Sequence, residues 1–469
     1  MASDRPQDLG LWSATELVAG YRDKTISPVE ATQAALARID RLDPALNAFC
    51  LVDRDGALAA ARAAEARWQR GAPLGLIDGV PTSVKDIVLT KGWPTLRGSK
   101  TIDPNQPWDE DSPAVARLRE HGAVLLGKTT TPEFGWKAIG DSPRTGITRN
   151  PWKLGHTPGG SSAGAAAATA VGMGALAIGS DGAGSIRIPS AFTGLFGLKP
   201  SFGRVPAYPP SAFGSVSHIG PMTRTVTDGA LMLTVLAGAD WRDSQALPPD
   251  GRDYRDGLEA GVKGLKIGFS PDLGYATVDP EIAQAVADAV KLLAELGAEI
   301  ETVAPPFPDP RAAELVIWCA PAAKVVGELS EAQRALLDPG LVRMAALGHR
   351  YSALDFVAAD QARTALGLSM ARFHQRYHLL ATPSVSVPAL PVGQDTLDPS
   401  PDALWIDWAP FSYPFNLTRQ PAASVPCGLT KSGLPIGLQL VGALYDEPTV
   451  LRAARAFERA RPFPLCPMA

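Results

Sequence analysis

Residues 155–200 are dominated by glycine, alanine and serine, and this block constrains the fold more than any other part of the chain. Two glycine turns enclose residues 163–171, which predicts a short helix whose alanines allow neighbouring elements to pack closely. Inside the block, residues 159–164 (GGSSAG) and 180–187 (SDGAGSIR) place serine hydroxyls where another backbone can approach. A third stretch, residues 83–86 (SVKD), adds an amine. Together the three stretches can supply a base, a proton relay and a nucleophile without a histidine, a metal or a cofactor.

The chain has 469 residues, 45% of them hydrophobic, which is enough for a large core. Enzymes of the α/β class are often this long as one unit, and no repeat, linker or low-complexity tail divides the sequence. We therefore expect a single domain over residues 1–469. The net charge of −4 gives no electrostatic reason to expect a nucleic acid or an anionic membrane surface as a partner.

Cysteine usage and the N-terminus predict a cytoplasmic protein. The four cysteines are scattered without any CxxC pair, so neither a zinc site nor a disulfide framework is expected and a reducing compartment fits best. Residues 1–11 contain three charged side chains and no apolar run, which argues against a signal peptide. No stretch approaches the roughly 20 apolar residues of a membrane span.

Local patterns predict alternating helices and strands, as in an α/β protein. A capping box at Ser27–Glu30 opens a helix that we expect to end near Arg41, and an apolar run predicts a strand over 80–84 that ends at Lys85. The other predicted helices cover residues 56–70, 112–121 and much of 305–378, and strands are predicted over 123–126, near 379–390 and near 421–440. A βαβ-like unit is predicted over 265–303.

Two familiar motifs match this sequence only formally. Residues 122–129 (GAVLLGKT) fit the phosphate-binding loop pattern, but the four middle residues are an apolar strand rather than a flexible loop. Residues 160–164 fit the nucleophile elbow around Ser162, but no hydrophobic strand leads into that serine. We therefore expect neither a nucleotide site nor an α/β-hydrolase elbow at these positions.

The serine-rich stretches resemble the signature of the amidase signature family of hydrolases, and the resemblance runs from about residue 17 to residue 457. Further matching segments are residues 79–86 (GVPTSVKD), 127–134 (GKTTTPEF), 148–152 (TRNPW), 197–200 (GLKP), 415–417 (FNL) and 421–428 (PAASVPCG). The resemblance implies an α/β fold with a large mixed β-sheet core flanked by helices on both faces. It places a signature core at about 75–230 and a variable, substrate-shaping region at about 300–415.

The resemblance also implies a Ser–cis-Ser–Lys triad. By motif position, Ser185 is the nucleophile, Ser161 the bridging serine after a cis peptide bond and Lys85 the base. Ser162 is then expected to hold Lys85 by a hydrogen bond. A serine hydroxyl is a weak nucleophile unless a base lies within reach, so the assignment agrees with the chemistry.

Lys85 can act as a base only if it is neutral. Lowering its pKa from about 10.4 to the range of 7–8 costs roughly 3–5 kcal/mol, which burial away from acids can supply. The apolar residues around Lys85 favour burial. Asp86 is adjacent, but consecutive strand residues point to opposite faces, so it need not cancel this effect.

The turn before Ser185 is expected to stabilise the oxyanion. Its residues Gly182, Ala183 and Gly184 can direct backbone N–H groups at one point, and their small side chains let a carbonyl approach. Arg187 either anchors this loop or binds substrate, and we favour the anchoring role.

The implied activity is hydrolysis of the C–N bond of carboxylic amides, with esters and carbamates (urethanes) as further candidates for the same acyl-enzyme chemistry. Several aromatic residues of the variable regions hint at apolar or aryl substrates: Trp136, Trp318, Trp405, Trp408, Phe411 and Tyr413. We expect a small-molecule substrate, no nucleic acid or membrane partner and no metal, and we leave a homodimer open.

The alternative is the glutaminase component of a tRNA-dependent amidotransferase. Such a protein needs an acid for the glutamine amine shortly before the Asn-Leu motif at Asn416. Ala409 stands about where this acid is expected, which disfavours the alternative.

Overall fold

The computed structural model describes residues 8–304, 307–400 and 403–469. Residues 1–7, which make up most of the N-terminal segment for which we expect no signal peptide, lie outside the described residues. Residues 305, 306, 401 and 402 of the predicted variable region also lie outside them. None of the helices in the described ranges is long and apolar enough to cross a membrane.

Eleven strands form one mixed sheet in the order β1-β3-β2-β6-β8-β7-β12-β13-β11-β9-β10, and β4 pairs with β5 in a separate hairpin. The strands are β1 Phe49–Val52, β2 Pro81–Lys85, β3 Val124–Thr129, β4 Asp141–Ser142, β5 Gly146–Ile147, β6 Leu176–Asp181, β7 Phe196–Lys199, β8 His218–Thr223, β9 Lys266–Phe269, β10 Glu299–Thr302, β11 Leu379–Pro383, β12 Ala422–Leu429 and β13 Pro435–Gly442. Strand β2 runs parallel to both of its neighbours, β3 and β6, whereas β6 and β8 are antiparallel.

Helices cover both faces of this sheet, as expected. They are α1 Ala14–Arg22, α2 Pro28–Leu46, α3 Arg54–Gln69, α4 Pro113–Glu120, α5 Ala163–Ala170, α6 Arg187–Thr193, α7 Val226–Leu236, α8 Pro280–Glu295, α9 Arg311–Gly327, α10 Glu331–Arg334, α11 Pro339–Gly348, α12 Ala353–Phe373, α13 Pro414–Leu417 and α14 Glu447–Ala460. Along β11, Leu379 and Ala381 pack in one core with α8 and α14. Leu380 points to the opposite core, formed with α9, α11 and α12. The α/β fold with a mixed sheet is therefore confirmed.

Sequence patterns identified most elements away from the small-residue block but not the strands within and after it. The Ser27 capping box is present, although α2 continues to Leu46. Strand β2 ends at Lys85 as predicted. Strands β6, β7 and β8 were not predicted. For β6 the reason is its alanine and glycine, which have low β-propensity, so that pairing inside a buried sheet makes the segment extended.

Candidate active site

Lys85 ends strand β2 in the interior and is fully buried. Its Nζ lies within hydrogen-bond distance of three serine hydroxyl oxygens: Ser161 at 2.7 Å, Ser162 at 2.9 Å and Ser180 at 2.9 Å. The first two serines precede helix α5, whereas Ser180 lies on β6, the strand beside β2. The parallel pairing of β2 with β6 therefore sets the position of one partner, and the loop before α5 brings the other two.

Burial lowers the pKa of the Lys85 amine well below its ordinary value, and the nearby negative charge of Asp181 only partly opposes this effect. Asp86 does not neutralise Lys85, because its carboxylate faces Lys128 at 3.8 Å. In the described part of the chain, no carboxylate forms an ion pair with Lys85. The site therefore favours a neutral amine surrounded by hydroxyl groups, which is the form that accepts a proton.

The loop before α5 is folded tightly around the Gly160–Ser161 peptide bond, which is cis. A side chain at Gly160 is excluded, since its Cβ would lie 2.6 Å from the carbonyl oxygen of Ile139. The N–H of Ser162 donates to the carbonyl of Ser185 at 3.2 Å, which ties this loop to the second serine stretch. Close backbone packing therefore explains why the segment consists of glycine and serine.

Ser185 lies in the turn between β6 and α6 and is 4% exposed. Its backbone contact with Ser162 places it beside the loop that carries Ser161. Among the described residues, its hydroxyl forms no hydrogen bond. The structure thus joins Lys85, Ser161 and Ser162 through side chains, and brings Ser185 to them through the backbone.

Arg187 anchors the turn between β6 and α6. Its buried guanidinium forms two hydrogen bonds of 3.0 Å to the carboxylate of Asp181 and a further one of 2.6 Å to the side-chain oxygen of Asn416. The remaining nitrogen donates to the carbonyl of Ser412 and to Gln439. Burial alone would raise the pKa of Asp181, but the charge and hydrogen bonds of Arg187 hold it well below its usual range. All three guanidinium nitrogens are therefore engaged in holding the turn.

One of the three predicted oxyanion donors has a hydrogen-bond partner within the turn. The N–H of Gly184 donates to the Asp181 carboxylate at 2.7 Å, so it is already engaged within the turn. An aspartate often caps nearby backbone N–H groups in this way. In the hydrogen bonds of the described residues, the N–H groups of Gly182 and Ala183 have no partner. These two, and not Gly184, are the available donors of the predicted set.

Comparison with known proteins shows the family of this chain. The family model described as Amidase matches residues 30–451. This chain belongs to the amidase signature family. Its amidase fold is shared by a solved bacterial aryl acylamidase of that family, with a TM-score of 0.89, 33% identity and 96% of each chain covered. The protein is therefore an amide-hydrolysing enzyme.

Two kinds of curated relative are similar to this amidase over nearly its whole length. The acylamidase of Rhodococcus erythropolis is 37% identical over 470 residues, with 97% of each chain covered. A glutamyl-tRNA(Gln) amidotransferase component of Myxococcus xanthus is 38% identical over 475 residues, covering 96% of this chain and 97% of its own. These sequence identities alone do not distinguish acylamidase activity from amidotransferase activity.

Sequence reasoning assigned no role to Ser180, Asp181 or Asn416, which the amidase structure places at the centre of the site. One signal was available for Asp181. It and Arg187 are the only charged residues between Lys153 and Lys199, counting Asp, Glu, Lys and Arg. When a buried segment contains only two charged residues and their charges are opposite, the two are expected to form an ion pair. No comparable local signal marks Ser180 or Asn416.

A pocket opens beside this site. Ser180, a partner of Lys85, lies in its wall. Its remaining lining is largely apolar and includes Phe134, Tyr208, Phe213, Pro206, Pro209 and Pro210. Such a wall accommodates a flat apolar group of a substrate.

The six aromatic residues that hinted at an aryl substrate do not line this pocket. All are at most 3% exposed and belong to one hydrophobic cluster: Trp136, Trp318, Trp405, Trp408, Phe411 and Tyr413. They support the core, and Trp318 also stacks on Phe213 of the pocket wall, with ring centres 4.1 Å apart. The aromatic character of the pocket comes instead from residues of the signature core.

The Arg187–Asp181 pair gives a first prediction, on stability. We expect Arg187→Met to lower the free energy of unfolding by about 3–5 kcal/mol, because it leaves the buried Asp181 carboxylate uncompensated. The matched control is Arg459→Met, which breaks an ion pair with Glu259 whose side chains are 58% and 55% exposed, and should cost about 1 kcal/mol or less. Urea unfolding of both variants measures the difference. Equal losses would contradict the anchoring role.

Proposed function

We propose that this amidase hydrolyses aryl and other apolar carboxylic amides through an acyl-enzyme on Ser185. The observation that carries the proposal is the buried amine of Lys85, which contacts three serine hydroxyls and whose pKa burial lowers. A neutral lysine among hydroxyls is a general base without a histidine.

In the first half of the reaction, the Ser185 hydroxyl attacks the carbonyl carbon. Its proton passes to Ser161 while the proton of Ser161 moves to Lys85, so that the relay ends with a lysine ammonium. The N–H groups of Gly182 and Ala183 bind the oxyanion, an interaction whose removal typically costs about 3–4 kcal/mol of transition-state stabilisation. The C–N bond then breaks, and the relay runs in reverse to protonate the leaving amine.

In the second half, water replaces the amine. The neutral Lys85 draws a proton from water through Ser161, and the resulting nucleophile attacks the ester on Ser185. Collapse releases the carboxylic acid and returns the proton to Ser185. The same two halves apply to esters and carbamates, which differ only in the atoms attached to the carbonyl, and we propose them as secondary substrates.

The aryl preference is proposed from the pocket and from the relatives. Aromatic and proline side chains form much of the pocket wall, and an acylamidase and an aryl acylamidase are among the similar proteins. The glutaminase alternative is less well supported, although amidotransferase components are equally similar in sequence. Ala409, which stands where an acid is expected to bind the glutamine amine, is fully buried and has no charge.

Assays of the purified chain distinguish these two functions. We expect it, without any other protein, to hydrolyse 4-nitroacetanilide with release of 4-nitroaniline, measured by absorbance, and to release no more ammonia from glutamine than the Ser185→Ala variant does. Phenyl acetate and a phenyl carbamate test the secondary substrates. Glutamine hydrolysis that exceeds anilide hydrolysis, or activity that requires a partner protein, would reverse the assignment.

A further inference from the structure

We propose that Arg97 determines specificity in this amidase by binding a carboxylate of the substrate. The preferred amides then carry an acidic group on the part that occupies the pocket beside Ser180. This inference rests on the proposed function, since it names a substrate class for the same site.

Among the described residues, Arg97 is the only charged one that lines this pocket. The rest of the lining consists of apolar, aromatic, proline and hydroxyl-bearing side chains, with no aspartate or glutamate in the described set. Within the same part of the chain, the Arg97 guanidinium forms neither an ion pair nor a hydrogen bond. A half-buried cation without a protein partner is costly unless a ligand pairs with it.

Asp86, the nearest candidate partner within the protein, is engaged elsewhere. Its carboxylate accepts the N–H of Leu96 at 3.2 Å and faces Lys128 at 3.8 Å. Burial lowers the pKa of Arg97 and the charge of Asp86 raises it, but a guanidinium stays protonated in either case. The positive charge therefore remains available to the pocket.

The backbone holds Arg97 in a fixed and unusual conformation. Its φ of 53° lies in the left-handed region that residues other than glycine rarely adopt. The N–H of Arg97 donates to the carbonyl of Asp86 at 3.0 Å, and its own carbonyl accepts the N–H of Phe134 at 2.7 Å. The backbone of Arg97 is thus held between the end of β2 and Phe134, which also lines the pocket. Such non-standard conformations concentrate at functional sites.

Three residues of the pocket wall connect it to the site: Ser180 directly, and Phe134 and Phe213 each through one intervening residue. Ser180 contacts the Lys85 amine at 2.9 Å. Phe134 precedes Gly135, where a Cβ would lie 3.1 Å from the Ser161 hydroxyl. The third residue is Phe213, which stacks on Trp318, and a Cβ at Gly182 of the nucleophile turn would lie 2.9 Å from that tryptophan ring. A group bound in the pocket therefore lies beside Ser180, whose hydroxyl contacts the Lys85 amine.

The chemistry of the pocket selects the class of ligand. A guanidinium binds a carboxylate through two parallel hydrogen bonds, and the apolar wall accommodates an aryl or alkyl spacer. The positive charge of Arg97 repels a substrate that carries a cationic group. Two kinds of anilide combine an apolar spacer with a carboxylate. One carries the carboxylate on the aryl ring, and the other carries it on the acyl chain, as in anilides of dicarboxylic acids.

A comparison of neutral and acidic probes tests the proposal. The neutral probe is acetanilide, and the acidic ones carry the carboxylate on the ring (3- and 4-acetamidobenzoate) or on the acyl chain (succinanilate). We expect at least one acid to have a higher kcat/KM than acetanilide in the native enzyme. Arg97→Gln should lower the ratio of kcat/KM for that acid to kcat/KM for acetanilide by about 10- to 100-fold, with partial recovery in Arg97→Lys.

The control is Arg62→Gln, because Arg62 is exposed on α3 outside the pocket, and this variant should leave the ratio unchanged. Thermal melting of every variant verifies its folding. An unchanged ratio in Arg97→Gln, or no preference for any acid in the native enzyme, would overturn the role of Arg97.

A failure of the proposed function would look different. If the native enzyme hydrolyses neither kind of anilide, Arg97 can still be tested by binding. Titration calorimetry then measures the affinity of 4-acetamidobenzoate and of acetanilide for the native protein and for Arg97→Gln. Tighter binding of the acid that disappears in the variant would support Arg97 and reject the aryl amidase activity. Equal binding of the two probes would reject Arg97 as well.

Discussion

Replacing Ser185 with alanine is expected to remove amide hydrolysis almost completely, by about 10⁴-fold or more in kcat, because the attacking oxygen is lost. The folded structure should be little affected. The Ser185 hydroxyl has no hydrogen-bond partner among the described residues, so its removal should change the free energy of unfolding by no more than about 0.5–1 kcal/mol. A loss of activity without a loss of stability is the signature of a nucleophile.

Covalent labelling identifies the nucleophile independently of turnover. A fluorophosphonate should modify the native amidase at Ser185, as located by peptide mass spectrometry, and should not label the Ser185→Ala variant. Ser162→Ala is the matched control, since Ser162 contacts Lys85 at 2.9 Å but is assigned only a supporting role. Labelling that persists in Ser185→Ala and disappears in Ser162→Ala would move the nucleophile to Ser162.

Local sequence was enough to place the residues whose role depends on their immediate neighbours. Val84 and the apolar residues after Asp86 predicted that Lys85 would be buried, and it is. Strand alternation predicted that Asp86 would point away from Lys85, and its carboxylate faces Lys128 instead. Both inferences use only the period of a strand and the cost of burying a charge.

Residues that reach the site through chain topology were not predictable in this way. Ser180 contacts Lys85 across 95 positions only because β2 and β6 pair in parallel, and a block of small residues does not reveal that pairing. Asn416 meets Arg187 across 229 positions. Both contacts depend on the strand order of the sheet, which no local pattern specifies.

Two further differences between expectation and structure have physical reasons. Gly184 belongs to a turn whose shape suits an oxyanion, but Asp181, three residues earlier, competes for its N–H. Aromatic residues such as Trp408 and Phe411 hinted at a substrate pocket and instead fill the core. The composition of a segment does not specify which way its aromatic side chains point, since tertiary packing decides that.

Lys85→Met is expected to lower kcat/KM for an anilide by about 10²- to 10⁴-fold at neutral pH, the usual contribution of a general base. In the native enzyme, kcat/KM should rise with pH and level off above the pKa of Lys85, because only the neutral amine accepts a proton. Burial lowers that pKa, so the plateau should begin well below 10.5, the ordinary value for lysine. The variant should lose this rise.

Lys199→Met is the matched control for this pH profile. Lys199 is equally buried, but its amine donates to the backbone carbonyls of Pro200 and Gln420 rather than to serine hydroxyls. Its replacement should keep the rise of kcat/KM with pH and the position of the plateau. A native profile that still rises at pH 10.5 would contradict a neutral Lys85.

The same lowered pKa of Lys85 predicts how stability depends on pH. Between the folded-state pKa and 10.5, the unfolded chain holds a proton at Lys85 that the folded protein lacks. Stability rises with pH wherever the unfolded state binds more protons, so the contribution of Lys85 increases as the pH approaches 10.5. The difference in free energy of unfolding between the native amidase and Lys85→Met should therefore shift in favour of the native protein as the pH rises through this window. Urea unfolding at several pH values measures this difference. A constant difference would mean that Lys85 is charged in the folded protein, and the proton relay through Ser161 would then have no base.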